Sequence, residues 1–241
     1  MRRHRSSMPD YGIDAPYTGI KIAVVTLVAL ITAVFLRTSG NATAKEAGNI
    51  IFSLAPAGII ILALAVMYVR VEKFRHRDKM LNMLPWTGNE MVLDVGTGLG
   101  LLMIGAAKRL VTGKSVGIDI WNVKDLSNNN YTAAMANAKL EEVKDRITIL
   151  NADAQDMPLA DGSFNYVLSN LCIHNIPTKE GRTKAIQEIV RVLKPGGVAL
   201  ISDFKYTGEY TAEFKKHGLK TSRKYSFLVA PLVLWVVRAE K

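Results

Sequence analysis

Met91-Val92-Leu93-Asp94-Val95-Gly96-Thr97-Gly98-Leu99-Gly100 begins as an apolar run long enough for one buried strand, then places three glycines at alternate positions. Leu101, Leu102, Ile104 and Ala107 follow at helical spacing. Strand, glycine turn and helix, in that order, open the ligand crevice of doubly wound α/β folds.

The pattern repeats downstream. Strands are expected at 91–95, 115–120, 147–150, 164–169 and 198–202. Helices are expected over about 99–111, from a Ser127 cap to about Val143, and over 179–193. The last of these puts Ala185, Ile186, Ile189, Val190 and Leu193 on one face, and Lys194-Pro195-Gly196-Gly197 stops it. A short helix at about 209–217 ends at Gly218, and two strand-like runs follow, 219–227 and 232–237. Phe227 to Val237 is apolar but short for a membrane span, and Pro231 divides it. The expected class is therefore α/β, a doubly wound and mostly parallel sheet with right-handed crossovers.

Upstream, the chain changes character. Residues 1–20 are a basic, turn-rich tail, with Arg2, Arg3 and Arg5 before Pro9, Gly12, Pro16 and Gly19, and are expected to be poorly ordered. Two uncharged apolar runs follow, 22–36 and 50–69, and are expected to form a transmembrane hairpin within residues 21–69. Pro56 is expected near the first turns of the second helix. Residues 70–85 mix charge with Val71, Phe74, Met80, Leu81 and Leu84, as an amphipathic linker helix would, and the α/β domain occupies 86–241.

Charge supports this division. The net charge is +10, and residues 1–80 hold 11 Lys/Arg against 5 Asp/Glu. Arg70, Lys73, Arg75, Arg77 and Lys79 follow the second run, whereas the connecting loop 37–49 has Arg37 and Lys45 offset by Glu46. The positive-inside rule places both termini and the domain on the cytoplasmic side of a membrane. Two alternatives compete: a cleaved signal peptide ending at Ala42-Thr43-Ala44, or buried helices of a soluble protein. No base-reading motif is visible, so nucleic acid is not an expected partner. One cysteine, Cys172, excludes an internal disulfide and a multi-cysteine zinc site, and no metal is expected.

In such a sheet the ligand lies beyond the carboxyl ends of the strands. Asp94 and Gly96, Asp119, Asp153, and Ser169 to His174 stand there. A dinucleotide fingerprint needs a glycine where Leu101 stands, and Asp94 is awkward beside a pyrophosphate. A cationic, phosphate-free ligand removes that difficulty. Asp119 is placed to take ribose hydroxyls, and Asp153 to accept from an exocyclic amine.

Four stretches in order resemble class I S-adenosylmethionine-dependent methyltransferases, and in particular their ubiquinone/menaquinone subgroup. These are Leu93 to Gly100, Gly117-Ile118-Asp119-Ile120, Asn151 to Pro158, and Glu188 to Gly197. The resemblance covers roughly residues 80–241. It implies a Rossmann-like seven-stranded sheet whose last strand is inserted antiparallel, and S-adenosylmethionine as cofactor. Asp94 with Gly96, Thr97, Gly98 and Gly100 would hold the methionine part. Asp119 and Ile120 would meet the ribose end, Asp153 and Ala154 the adenine. Asn170 would lie near the methionyl group and the acceptor.

His174 has two readings, a base for an acceptor proton or a side chain that positions its loop by hydrogen bonding; the second is preferred. Cys172 is read as packing, and Trp121 as packing or part of the acceptor site. The expected function is methyl transfer to a small or lipidic acceptor. A non-catalytic S-adenosylmethionine-binding protein and a nicotinamide-dependent oxidoreductase are the rival classes. Deleting residues 1–78 is expected to spare cofactor binding and to impair turnover on a membrane-associated acceptor.

Overall fold

A computed structural model describes residues 8–14, 16–226 and 233–241. Arg2, Arg3 and Arg5 of the basic tail, and residues 227–232 of the last apolar run, lie outside the described residues.

Two long helices come first, α1 (Pro16–Arg37) and α2 (Ala42–Met67). Both are long and apolar enough to cross a membrane, and only 6% and 11% of their most apolar windows are buried. That exposure is the opposite of what core helices of a water-soluble domain show. The helices lie against each other where side chains are small. A Cβ at Gly58 would come within 2.5 Å of Thr26 Oγ1, and one at Gly48 within 2.9 Å of the Ala33 carbonyl oxygen. Small residues at such contacts are how apolar helices approach closely in lipid. The second helix starts earlier than expected, so Thr38–Asn41 is the whole connection and Ala42-Thr43-Ala44 is its first turn. Pro56 accordingly stands mid-helix, not near the start. A π-helical turn, Tyr68–Glu72, joins α2 directly to α3 (Lys73–Leu81).

The remaining chain forms a seven-stranded sheet: β1 (Met91–Val95), β2 (Lys114–Asp119), β3 (Ile147–Asn151), β4 (Phe164–Asn170), β5 (Leu193–Asp203), β6 (Lys220–Ser226) and β7 (Leu234–Glu240). The order is β3-β2-β1-β4-β5-β7-β6. The first five strands are parallel, and β7 is antiparallel between β5 and β6. The order reverses between β1 and β4, which opens a crevice at their carboxyl ends. Connecting helices are α4 (Leu101–Ala107), α5 (Tyr131–Leu140), α6 (Lys179–Val192) and α7 (Thr207–Lys216). The expected inner face of α6 is buried, each of Ala185, Ile186 and Ile189 at 1% exposure or less.

Two expectations are corrected and one is extended. Asn130, not Ser127, caps α5, its side chain accepting from Ala133 N at 2.9 Å. α6 ends at Val192, just before Lys194-Pro195-Gly196-Gly197 as expected, and that segment is also an irregular start of β5, since pairing jumps from Phe164–Leu193 to Tyr166–Val198. Gly196 N donates to the Lys241 carbonyl there at 2.8 Å. Residues 8–14 are not a loose tail: they lie on the α/β domain, with Tyr11 5% exposed.

Candidate active site

β1 ends under the glycine turn, and the turn is bound to the neighbouring strand. Gly96 N and Thr97 N both donate to the Ile118 carbonyl at 2.9 Å. Gly96 has φ +74°, and a Cβ there would stand 2.2 Å from Cys172 Sγ. Only glycine fits such a position. Cys172 is therefore packing, as expected, and burial pushes its thiol pKa up.

Gly100 precedes α4 and offers no capping side chain. Asp94, 2% exposed, does that work from the strand below: its Oδ2 accepts from Met103 N and from Thr97 Oγ1, both at 2.9 Å. Burial raises the Asp94 pKa to about 7; the Thr97 and Met103 hydrogen bonds lower it and the Asp119 charge raises it. Asp119 accepts from Gly98 N at 2.8 Å through Oδ2, and from Trp121 N at 2.6 Å and Asn129 Nδ2 at 3.3 Å through Oδ1. A carboxylate has about four acceptor directions, so about one remains for a hydroxyl donor.

A cavity lies over this turn. Its lining brings together Asp94, Gly96, Thr97, Gly98, Asp119, Ile120, Asp153, Ala154 and Asn170. Gly100 stands behind the turn and is not part of the lining. Ile120 is 63% exposed, an apolar face beside Asp119. The Asp153 carboxylate makes a local turn, accepting from Gln155 N at 2.8 Å and from Gln155 Nε2 at 3.1 and 3.2 Å. Asn170 Oδ1 is buried without a hydrogen-bond partner, and so is Oδ1 of Asn129, which also lines the cavity.

His174 does not line the cavity. Its Nδ1 lies 2.5 Å from Asp203 Oδ1, and its backbone N donates to Asp203 Oδ2 at 3.1 Å. Tyr210 OH donates to the same Oδ2 at 3.2 Å, and Asp203 is fully buried. Trp121 is also off the lining and meets Tyr131 edge-on at 6.4 Å.

Among the lining residues not expected are Tyr11, Asp14 and Lys73, which come from outside the α/β domain. They belong to the segment before α1 and to the first position of α3. Deleting residues 1–78 would remove all three from the wall of the cavity. That geometry speaks against the expectation that such a deletion spares cofactor binding. The sequence offers no local signal for this, since the partners of Asp10 and Ile13 lie 127 and 114 residues away.

The donor set tests the ligand. Lining carboxylates are Asp14, Asp94, Asp119, Asp125 and Asp153, against Lys73 as the one lining cation among the described residues. Two N–H groups that could face a phosphate, at Gly98 and Met103, already donate to Asp119 and Asp94. The site fits a cationic ligand with hydroxyl and amine donors, as S-adenosylmethionine is, and does not fit a dinucleotide.

Comparison with known proteins agrees. Residues 93–201 match the family described as "Methyltransferase domain". The chain is 32% identical over 133 residues to the 27-O-demethylrifamycin SV methyltransferase of Amycolatopsis mediterranei, covering 54% of this chain and 44% of that one. It is 32% identical over 130 residues to the sterol 4-C-methyltransferase of Caenorhabditis elegans, covering 54% and 35%. It is 32% identical over 130 residues to the ubiquinone/menaquinone biosynthesis C-methyltransferase of Syntrophotalea carbinolica, covering 54% and 50%. The chain thus spans half or less of the length of these relatives. An S-adenosylmethionine-dependent methyltransferase from Aquifex aeolicus shares the fold, with a TM-score of 0.55 at 20% identity over 68% of this chain and 88% of that one.

Proposed function

We propose that this chain, whose residues 93–201 form a class I S-adenosylmethionine-dependent methyltransferase domain, moves a methyl group to a small or lipidic acceptor at a membrane surface. One observation carries the membrane part of this reading. The two segments that connect the apolar helices to the domain, residues 8–14 and the start of α3, both reach the wall of the cofactor cavity. The wall of the site is then built in part by the segments that meet the bilayer-facing helices.

S-adenosylmethionine supplies a methyl group on a sulfonium, a leaving group already activated by its charge. The chain's own residues are left with alignment and exclusion of water. In this reading Asp119 takes the ribose hydroxyls and Ile120 covers one face of the adenine. Asp153 and the backbone at Ala154 meet the adenine amine. The free oxygen of Asp94 and the glycine turn from Gly96 to Gly98 face the methionine part. Asn170 lies towards the reacting methyl. His174, clamped to Asp203, holds the loop after β4 that carries Asn170 to Cys172. Both termini and the domain lie on the cytoplasmic side, with Arg70, Arg75 and Lys79 at the headgroups. The first helix is retained, because cleavage after Ala44 would remove Tyr11 and Asp14 from the cavity.

Radiolabelled S-adenosylmethionine, the full chain in detergent micelles and a membrane extract of the source organism test this. Label in an organic-extractable product is expected, with loss of transfer in Asp119→Ala. Label confined to water-soluble products overturns the lipidic acceptor. Tight binding without any transfer favours the non-catalytic reading.

A further inference from the structure

Lys73 is the first residue of α3, and its charge is out of place. The sequence assigns it to the basic cluster that follows an apolar helix, where a lysine normally reaches for water or headgroups. Here it is 4% exposed and turned towards the domain. Its Nζ donates to the Tyr11 carbonyl at 3.0 Å and to the Gly12 carbonyl at 2.6 Å. A buried ammonium demands such partners.

The segment it grips is fastened along its length. Asp10 N donates to Asn137 Oδ1 at 2.9 Å, and Asn137 Nδ2 donates back to the Asp10 carbonyl at 2.7 Å. The same Nδ2 lies 3.0 Å from the Leu99 carbonyl, inside the glycine turn. Tyr11 OH donates to Glu141 Oε1 at 2.9 Å, and the Tyr11 ring meets Phe74 of α3 edge-on at 5.6 Å. Ile13 N donates to Ser127 Oγ at 2.8 Å, and Ser127 N to the Ile13 carbonyl at 3.0 Å. Gly12 has φ +67°, and a Cβ there would lie 2.8 Å from the Ser127 carbonyl oxygen. Tyr11, Asp14 and Lys73 all line the cofactor cavity.

We propose that residues 10–14 are a strap that completes the cofactor site, and that Lys73 is the positioning residue that holds the strap in place from α3. Cofactor retention then depends in part on an ammonium that belongs to the connection between the apolar helices and the domain. The proposal rests on the assignment of this cavity to S-adenosylmethionine, and its test separates the two.

The experiment uses the full chain in micelles, with calorimetric titration of S-adenosylmethionine and chymotryptic cleavage after Tyr11 followed by mass spectrometry. Lys73→Met removes the donors at similar volume. Gly12→Ala pushes the strap off from the opposite side and leaves Lys73 intact. Each variant is expected to weaken S-adenosylmethionine binding at least tenfold. In the parent chain saturating cofactor protects the Tyr11 bond, and in both variants that protection is lost. A Lys73 with only a structural role would lower the unfolding temperature without changing cofactor-dependent protection. Affinity within twofold of the parent in both variants overturns the strap. If Lys73→Met does not fold, Gly12→Ala decides alone by the same numbers. Asp119→Ala serves as the control: unchanged affinity there overturns the cofactor assignment itself, whereas loss there with no effect of the strap variants overturns only the strap.

Discussion

Asp94→Asn should make the domain more stable above neutral pH and worse at binding its cofactor. The amide oxygen of Asn can still accept from Met103 N and Thr97 Oγ1, so the cap on α4 survives. What disappears is a buried negative charge. Burial lifts the Asp94 pKa from 3.8 to about 7. The folded state therefore binds more protons than the unfolded state between those values. Stability from this group is full below pH 3.8 and is lost as pH rises through about 7. A shift of roughly three units at about 1.4 kcal/mol each is about 4 kcal/mol. For a domain of this size that is roughly 8–16 °C of unfolding temperature. The assay is thermal unfolding of the cofactor-free chain in micelles from pH 4.5 to 8, expressed as the difference between parent and variant. Subtraction removes every other titrating group. The variant should gain on the parent steadily with rising pH, while its affinity for S-adenosylmethionine falls. A cationic ligand should also expel a proton from Asp94 near pH 7, visible as buffer-dependent binding heat in the parent alone. A difference curve flat to within about 1 kcal/mol would refute the reasoning.

Gly96→Ala combines a left-handed backbone with a Cβ 2.2 Å from Cys172 Sγ and 2.4 Å from its Cβ; a loss of about 2–5 kcal/mol is expected, partly restored by Cys172→Gly in chemical denaturation. His76 is buried between Ser202 Oγ at 2.7 Å and Ser226 Oγ at 3.3 Å, and burial depresses its pKa to about 4. Its neutral form is fully accommodated above pH 6.5, so about 3 kcal/mol should be lost as pH falls from 6.5 to 4, and His76→Gln should lack that slope in acid unfolding. His174→Asn should lower turnover while leaving the acidic limb of the pH–rate profile in place; disappearance of that limb would make His174 a base.

The sheet was legible because its signals are local. Met91–Val95 is a strand over the expected residues, and the Gly218 stop stands where its φ of +79° needs glycine. The cap of α5 was misread because Ser127, Asn128, Asn129 and Asn130 are all competent caps, and the choice fell to Ser127's partner at Ile13. Pro195-Gly196-Gly197 does follow the end of α6, but its second role, binding the far end of the chain at Lys241, is not encoded nearby. In the site, Asp94 and Asp119 were found from the strand ends, but not that Asp119 would occupy an amide of the turn and Asp94 an amide of α4. The strap was the largest omission. Pro9 and Gly12 look like a tail, and Lys73 looks like one more juxtamembrane charge. Each becomes intelligible only when the other is in contact with it.

The π-helical turn between α2 and α3 has a mechanical meaning. A wide turn keeps the backbone continuous where a loop would uncouple it. On the proposed reading, a hairpin that tilts to match a thinner or thicker hydrocarbon layer rotates a rod whose next residue is Lys73. Bilayer thickness then enters the thermodynamics of the chain as a variable alongside cofactor concentration. Vesicles of short-chain and long-chain lipids should give one protein two affinities.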